Sequence, residues 1–155
     1  MTVSTIADIR TRPATEGDRA FIERVFVSGA REMITEARGA WDEERERASF
    51  REELDLASTF IVRSAQDDVG FLTCLTSERL NRLYTICILP EYQGRGVGTR
   101  VIQSLIESTQ REGRELELRV LKTNSRARAL YERLGFRVFA DTEYHHRMSM
   151  AESRA

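Results

Sequence analysis

The chain has 155 residues, 41% of them hydrophobic, and a formal net charge of −1 at pH 7. A chain of this length most simply forms one domain over residues 1–155, which is large enough to bury a core without disulfides or metals. Acidic and basic residues are interspersed, which argues against a nucleic-acid or membrane partner. No apolar run approaches the roughly 20 residues that cross a bilayer. The N-terminus lacks a basic-then-apolar leader, so we expect a cytoplasmic protein.

Cysteine usage agrees with that expectation. Cys74 and Cys87 lie in strand-like runs and show no metal-ligand spacing. Two such thiols are typical of a reducing compartment. Zinc and calcium spacings do not occur either, so we expect no metal.

The first half of the chain predicts a short strand, two helices and a hairpin. A strand at residues 9–12 ends at Pro13, and Thr15 with Asp18 resembles a capping box at the start of a helix. Apolar residues then recur with helical spacing as far as Gly39. Residues 41–56 are predicted to form a second, highly charged helix. Strand signals follow at 59–63 and 69–76, with a turn at 66–68.

The second half predicts a crossover and a closing hairpin. A strand at 83–89, a helix at 99–110 and a strand at 116–121 indicate a parallel strand–helix–strand unit. A helix at 125–134 ends at Gly135, and strands at 136–140 and 144–150 close the chain. The pattern therefore predicts an α+β fold. Its mixed, mostly antiparallel central sheet is flanked by helices and contains one parallel junction.

The most informative segment is the glycine loop Gln93-Gly94-Arg95-Gly96-Val97-Gly98. It lies where the strand at 83–89 passes into a helix, and its glycines leave backbone N–H groups without side-chain cover. Those donors, together with the positive helix end, predict a binding site for a diphosphate.

Two other phosphate-binding folds fit this loop poorly. A Walker loop requires a lysine directly after its last glycine, whereas Thr99 and Arg100 follow here and Lys122 is the only lysine. A dinucleotide fold requires a third glycine where Val101 stands, within the first strand–helix unit of a parallel sheet.

A second motif makes the assignment specific. Residues 124–136 read Asn-Ser-Arg-Ala-Arg-Ala-Leu-Tyr-Glu-Arg-Leu-Gly-Phe. Together with the glycine loop, this segment resembles the motifs of the GNAT superfamily of N-acetyltransferases, and the chain looks like its small bacterial members. The matching positions are Gln93, Gly96, Gly98, Asn124, Ala127, Leu130, Tyr131, Gly135 and Phe136.

The resemblance implies acetyl-CoA as co-substrate. It implies that the loop amides hold the diphosphate, that the strand around Cys87 pairs with the pantetheine arm, and that this strand and residues 116–121 splay apart around the thioester. Asn124 would contact the pantetheine, and Tyr131 would point its hydroxyl at the sulfur. The implied cofactor-binding residues are Ile86, Cys87, Ile88, Gln93, Gly94, Arg95, Gly96, Val97, Gly98, Thr99, Asn124, Ala127 and Tyr131.

The chemistry then predicted is direct attack of a primary amine on the thioester in a ternary complex. Tyr131 is the catalytic candidate, since its hydroxyl can hydrogen-bond to the departing thiolate. Full proton transfer from a phenol to a thiolate is uphill by about 2 kcal/mol. The base stays open: residues 81–88 contain no carboxylate, which leaves Tyr84 with water, Glu78 and His145. Cys87 as an acyl carrier competes with Cys87 as an inert buried thiol.

The acceptor amine would be recognised by the first helix pair and the last hairpin. The implied substrate residues are Arg31, Trp41, Glu44, Tyr84 and His145, although Trp41 is equally well explained as a core anchor. The resemblance also allows a homodimer. A non-enzymatic alternative is an acyl-CoA-binding sensor or interaction module that keeps the fold without catalysis, which the missing strand carboxylate favours.

Overall fold

A mixed β-sheet forms the centre of the molecule in a computed structural model that describes residues 8–150. Its strands are β1 (Ile9–Pro13), β2 (Thr59–Ser64), β3 (Asp67–Thr76), β4 (Leu80–Ile88), β5 (Glu115–Leu121), β6 (Arg137–Asp141) and β7 (His145–Ser149). They lie in the order β1-β2-β3-β4-β5-β7-β6. All neighbours are antiparallel except β4 and β5. The predicted α+β class with one parallel junction is therefore confirmed.

Helices cover both faces of the sheet. Those in the described part of the chain are α1 (Arg19–Arg38), α2 (Glu43–Glu53), α3 (Val97–Arg111) and α4 (Ser125–Arg133). None of the helices within residues 8–150 is long and apolar enough to span a membrane.

One face of the sheet is packed by α1 and α2. Ile22 and Val25 of α1 are fully buried and share a cluster with Phe71 of β3. Phe50 of α2 stacks on Phe26 of α1 with ring centroids 4.2 Å apart, which attaches the charged second helix to this cluster.

The other face is packed by α3 and α4. Val101 and Ile102 of α3 are buried against Leu83 of β4 and Leu118 of β5, and α4 contributes Tyr131 to the same cluster. Because successive side chains of a strand point to opposite faces, the residues that flank Leu83 and Leu118 point toward the α1–α2 side.

The second helix is shorter than the predicted range 41–56. The carboxylate of Asp42 accepts a hydrogen bond from the backbone N–H of Arg45 at 3.2 Å, so Asp42 is the N-cap. Trp41 therefore precedes the helix. At the other end Leu54 is extended, and the helix ends at Glu53.

Other boundaries also differ from the prediction: β4, predicted at 83–89, is Leu80–Ile88, and the remaining strands shift by one or two residues. The helix after the glycine loop begins at Val97 rather than at residue 99, because Gly96 is its left-handed N-cap. The hairpin between β2 and β3 turns at Ala65 and Gln66 rather than at 66–68, with Ala65 at φ 56°.

The closing hairpin lies with β7 inside and β6 at the edge of the sheet. Val120 of β5 is opposite His146 of β7, while β6 pairs only with β7. The hairpin itself was predicted, but the sequence does not indicate which of its strands joins β5. This order places His145 and Arg147 beside β5, where they bear on the site described below.

Candidate functional site

The glycine loop has the backbone conformation that the sequence predicts. After a short turn at Pro90–Tyr92, Gly94 and Gly96 adopt φ values of 75° and 84°, a region that side chains disfavour. The Gln93 side chain donates to the carbonyl oxygen of Ile88 at 2.8 Å, which fixes the loop to the end of β4. Gln93 thus supports the loop from within the chain.

This loop presents a run of unpaired amides. The backbone N–H groups of residues 94–99 hydrogen-bond to no residue in the described range 8–150, and the first helical bond of α3 runs from the Arg100 N–H to Gly96. A Cβ on Gly94 or on Gly98 would meet nothing within 4 Å, so no other element covers the loop at these two positions. Six consecutive free donors at the positive end of a 15-residue helix are chemically suited to hold an anion.

Beside this loop, β4 and β5 separate. Their pairing runs from Leu80 opposite Glu115 to Leu83 opposite Leu118 and stops there. Beyond it, β4 stays paired with β3 as far as Ile88, while β5 continues against β7. The edge of β4 that faces β5 is therefore free of strand partners along residues 84–88, which include Ile86, Cys87 and Ile88. The splayed geometry expected from the resemblance is confirmed.

A β-bulge explains where the strands part. β3 pairs Thr73 with Thr85 and Cys74 with Leu83, so that Tyr84 is an extra residue in β4. A bulge bends its strand and increases the local twist. Here it turns the end of β4 away from β5 directly after Leu83.

Tyr131 of α4 lies beside this cleft. Its side chain is buried, packs edge-on against Phe136 at 6.0 Å between ring centroids, and is close enough to Cys87 for the two groups to interact electrostatically. Its hydroxyl makes no hydrogen bond to any residue within 8–150. Burial, with a smaller contribution from Cys87, raises the pKa of Tyr131 to about 12. The phenol therefore stays protonated at neutral pH and keeps a hydrogen bond to donate.

Asn124 and Ala127 are brought to the same end of α4. Asn124 is the N-cap, and its Oδ1 accepts from the Ala127 N–H at 3.1 Å. That oxygen and that amide are therefore already used within the chain. Only the Nδ2 group of Asn124 is left to donate to a bound molecule.

The thiol of Cys87 is poorly suited to nucleophilic chemistry. Burial raises its pKa to about 12. At neutral pH only about one molecule in 10⁵ would carry the reactive thiolate. Packed against the α1–α2 cluster, Cys87 behaves as a small hydrophobic residue, which argues against the acyl-carrier route.

A cavity of about 400 Å³ opens on the α1–α2 side of the sheet at the point where β4 and β5 part. Of the predicted substrate residues, it contains Tyr84 and His145. The lining residues are Arg82, Tyr84, Glu117, Leu118, Arg119, Thr142, His145 and Arg147. The amide loop adjoins α3 on the opposite face, and the unpaired segment of β4 runs from Tyr84 in the cavity to Ile88, whose carbonyl oxygen holds the loop through Gln93.

The remaining predicted substrate residues do not line this cavity. Arg31 and Glu44 are exposed on α1 and α2. Trp41 is half-buried in the connection between these helices, and its Nε1 is buried without a hydrogen-bond partner in the described part of the chain. The structure thus assigns Trp41 neither to the core clusters nor to the cavity.

Guanidinium groups dominate the cavity. Glu117 accepts from Arg82 at 3.3 Å and from Arg147 at 3.1 Å, so two arginines share one carboxylate. Arg119 lies over the Tyr84 ring at 5.1 Å and donates to the Tyr84 carbonyl at 3.4 Å. This last contact crosses the gap between the splayed strands.

His145 is held neutral in this setting. Burial, together with the smaller contributions of the Arg119 and Arg38 guanidinium groups, lowers its pKa to about 4. Arg38 reaches the site from the end of α1, where it also lies 5.2 Å from the centre of the Tyr144 ring. An acceptor ammonium has a pKa of roughly 8–10. His145 is therefore too weak a base to deprotonate it.

The other base candidates are placed no better. Glu78 lies in the turn between β3 and β4, at the opposite end of β4 from the cleft. Tyr84 is in the cavity, where its hydroxyl raises the pKa of Arg82. Glu117, which lines the cavity, is held by two arginines. Among the described residues no cluster of three or more His, Cys, Asp or Glu side chains could hold a metal.

Sequence reasoning does not single out Arg82, Glu117, Arg119 or Arg147. A signal exists in the alternation of β5, where Glu117 and Arg119 flank the buried Leu118 and so share the wet face. Their convergence with Arg82 and Arg147 depends on the register between three strands. The sequence of each separate segment does not predict that register.

Relatives of this chain are acetyltransferases. The profile of the acetyltransferase (GNAT) family matches residues 29–136, more than half of the chain. This chain is 42% identical over 69 residues to the ribosomal protein bS18-alanine N-acetyltransferase of Haemophilus influenzae. The matched region covers 44% of this chain and 47% of that protein. The match thus spans about half the length of that curated relative.

Solved structures share the fold. The PaiA N-acetyltransferase of Thermoplasma acidophilum in complex with coenzyme A superimposes with a TM-score of 0.70 at 18% identity, covering 91% of this chain and 97% of that one. The spermidine N-acetyltransferase of Vibrio cholerae in complex with CoA and spermine gives 0.67 at 20% identity, covering 96% and 98%. Since the family profile covers the glycine loop, the cleft strands and the Tyr131 motif together, the chain belongs to the acetyltransferase (GNAT) family.

Proposed function

We propose that this chain is an acetyl-CoA-dependent N-acetyltransferase, in the form of one domain over residues 1–155. It transfers the acetyl group to a primary amine by direct attack in a ternary complex. The observation that carries this proposal is the edge of β4 along residues 84–88, which has no strand partner and runs from the cavity at Tyr84 to the free amides of residues 94–99. As part of this proposal the reaction needs no metal and takes place in the cytoplasm.

The cofactor side follows from the unpaired groups. The diphosphate of acetyl-CoA would accept hydrogen bonds from the amides of residues 94–99, including those of Arg95, Val97 and Thr99. The pantetheine amides would pair with the free edge of β4 beyond Leu83, which is β-strand addition. The part-exposed side chains of Ile86 and Ile88 supply apolar contact. The complexes of the two structural neighbours with CoA support CoA as the ligand.

The proposed reaction has three steps: attack on the thioester, loss of the thiolate and its neutralisation by a proton. The amine nitrogen attacks the thioester carbon to form a C–N bond, and the carbonyl oxygen becomes an oxyanion that a backbone N–H on the edge of β4 would stabilise. The C–S bond then breaks, and the electron pair leaves on the sulfur of CoA. Tyr131 donates a hydrogen bond to this thiolate, and the proton lost by the attacking nitrogen finally neutralises it.

The amine must reach the cleft uncharged. Of the groups described at the site, neither His145 nor the arginine-bound Glu117 is fitted to remove its proton, so deprotonation to water precedes attack. The cavity assists, since nearby guanidinium groups lower the pKa of an ammonium ion. The spermine bound by the Vibrio cholerae neighbour supports an amine as acceptor in this family.

The lack of a carboxylate on residues 84–88 also favours the second candidate, a non-catalytic acyl-CoA sensor. The two are separated by calorimetry with CoA and by thiol release from acetyl-CoA over an amine panel. The enzyme predicts CoA binding and amine-dependent thiol release. Tight CoA binding with no release for any amine would favour the sensor. No CoA binding at all would contradict both.

A further inference from the structure

The charge of the acceptor cavity is strongly unbalanced. Its lining contains the guanidinium groups of Arg82, Arg119 and Arg147 and only one carboxylate, that of Glu117. His145 adds no charge at neutral pH, because burial and the neighbouring arginines lower its pKa to about 4. The lining of the cavity therefore carries an excess of positive charge, which attracts an anion and repels a second cation.

The three arginines are not equally available. Arg82 and Arg147 both bind Glu117, and Arg147 also lies over the Phe139 ring at 4.9 Å. Arg119 pairs with no carboxylate among residues 8–150; its guanidinium contacts the ring and the carbonyl oxygen of Tyr84 and lies near the neutral His145. Of the three arginines in the cavity lining, Arg119 is therefore the one whose charge no described carboxylate neutralises.

From this arrangement we infer that the acceptor is a small primary amine that also carries a carboxylate, and that Arg119 binds this carboxylate. The inference rests on the proposed function and specifies its substrate class. An arginine fork matches the planar carboxylate with two parallel hydrogen bonds, which a point charge cannot do. A cavity of about 400 Å³ holds a molecule of amino-acid size.

The position of Arg119 relates binding to chemistry. Its contact with Tyr84 places the guanidinium at the first unpaired residue of the cleft. A carboxylate held there leaves an amine on the adjacent carbon close to the thioester. The same cations disfavour the ammonium form. The carboxylate of an amino acid is therefore attracted to the cavity, and its ammonium group loses a proton more readily there. A diamine would instead bring a second positive charge into a cationic cavity.

The test measures binding and turnover separately. An α-amino acid, its carboxamide, ethanolamine phosphate and a diamine are titrated by calorimetry into protein saturated with CoA, and then assayed with acetyl-CoA. The inference predicts that the amino acid binds at least about tenfold more tightly than its carboxamide, as expected for a charge-assisted pair. The diamine should bind most weakly. Equal affinities for acid and amide, or a preference for the phosphate or the diamine, would overturn it.

Variants at position 119 identify the contact. Arg119→Gln should raise KM for the amino acid about tenfold or more and change KM for the carboxamide much less, so that the preference for the acid over the amide is lost. Arg119→Glu should reverse the preference toward the diamine, a gain that a merely damaged fold cannot produce. Arg10→Gln removes the same charge from an exposed position on β1, at the other end of the sheet order. It should change neither KM for the amino acid nor the preference among acceptors.

The two proposals fail in different ways. If acid over amide is preferred in the CoA complex but no amine releases thiol, the proposed transferase activity is wrong and the anion site stands. If thiol release occurs with the diamine or the carboxamide as readily as with the amino acid, the activity stands and the inference is wrong. An Arg119→Gln variant with the wild-type acid-to-amide ratio would also contradict the role of Arg119.

Discussion

Gly70 of β3 lies directly against the backbone of Cys87 in β4. A Cβ built on Gly70 would overlap the carbonyl oxygen of Cys87 and lie 2.9 Å from Cδ1 of Ile88. Only glycine permits this approach, because the obstacle is backbone and not the end of a flexible side chain. The contact sets the position of the β4 segment whose other edge is free for a ligand.

Gly70→Ala should therefore be costly to stability. We expect it to lower the free energy of unfolding by about 1–3 kcal/mol, as for other overpacked sites, measured by urea denaturation. Gly29→Ala is the matched control, since a Cβ there meets nothing within 4 Å and the residue lies inside α1. That change should stabilise by about 0.5–1 kcal/mol. Equal effects of both substitutions would contradict the close contact.

Gly98→Asp should weaken the affinity for CoA without unfolding the chain. The new carboxylate would lie among the free amides of residues 94–99 and compete with the diphosphate, while an acid in the first turn of a helix is itself stabilising. We expect the Kd for CoA to rise about tenfold or more by calorimetry. Gln110→Glu adds the same charge to an exposed position at the other end of α3 and should leave this Kd unchanged.

His145 should make the fold less stable on mild acidification. Its ordinary pKa of 6.5 falls to about 4 in the folded chain. Below pH 6.5 the unfolded chain binds a proton that the folded chain rejects, so the free energy of unfolding decreases between about pH 6.5 and pH 4. Comparing urea midpoints at about pH 7 and pH 5 largely avoids the range of the carboxylates with lowered pKa, such as Asp18. The decrease should be smaller in His145→Gln, and an identical decrease would exclude His145 as its source.

How far the sequence predicts this molecule depends on whether the signal is local. The glycine loop is local: Gly94 and Gly96 need positive φ, and the adjoining helix has a clear apolar period, so its place and chemistry are predictable. The N-cap Asp42 is also a local signal, one that would have corrected the start of α2. Local patterns thus recover the elements, the crossover and the cofactor side.

The acceptor side is not local. The bulge at Tyr84 is visible only as a shift in pairing with β3, and the insertion of β7 beside β5 decides that Arg147 meets Glu117. Neither event leaves a mark in a single segment. A charge cluster assembled by strand register requires the sheet order before it can be read.

Tyr131→Phe should separate catalysis from folding and cofactor affinity. The Tyr131 hydroxyl is unpaired within the described residues, so its removal leaves no buried partner unsatisfied, and the free energy of unfolding should stay within about 0.5 kcal/mol of the wild type. Losing a hydrogen bond to the departing thiolate should lower kcat about 10- to 100-fold. The Kd for CoA should change little. An unaltered kcat would remove Tyr131 from the mechanism.

The pH dependence of the rate tests whether the enzyme supplies a base. Since His145 has a pKa of about 4 and Tyr131 one of about 12, neither changes protonation between about pH 6 and pH 10. The rate should then follow the neutral fraction of the amine, with kcat/KM rising with pH to a plateau near the pKa of the acceptor itself. Replacing the acceptor by an analogue of lower pKa should move this inflection down by the same amount. An inflection that stays fixed while the amine is changed would instead identify a titrating group of the protein, and His145→Gln and Glu117→Gln would show whether it belongs to the cavity.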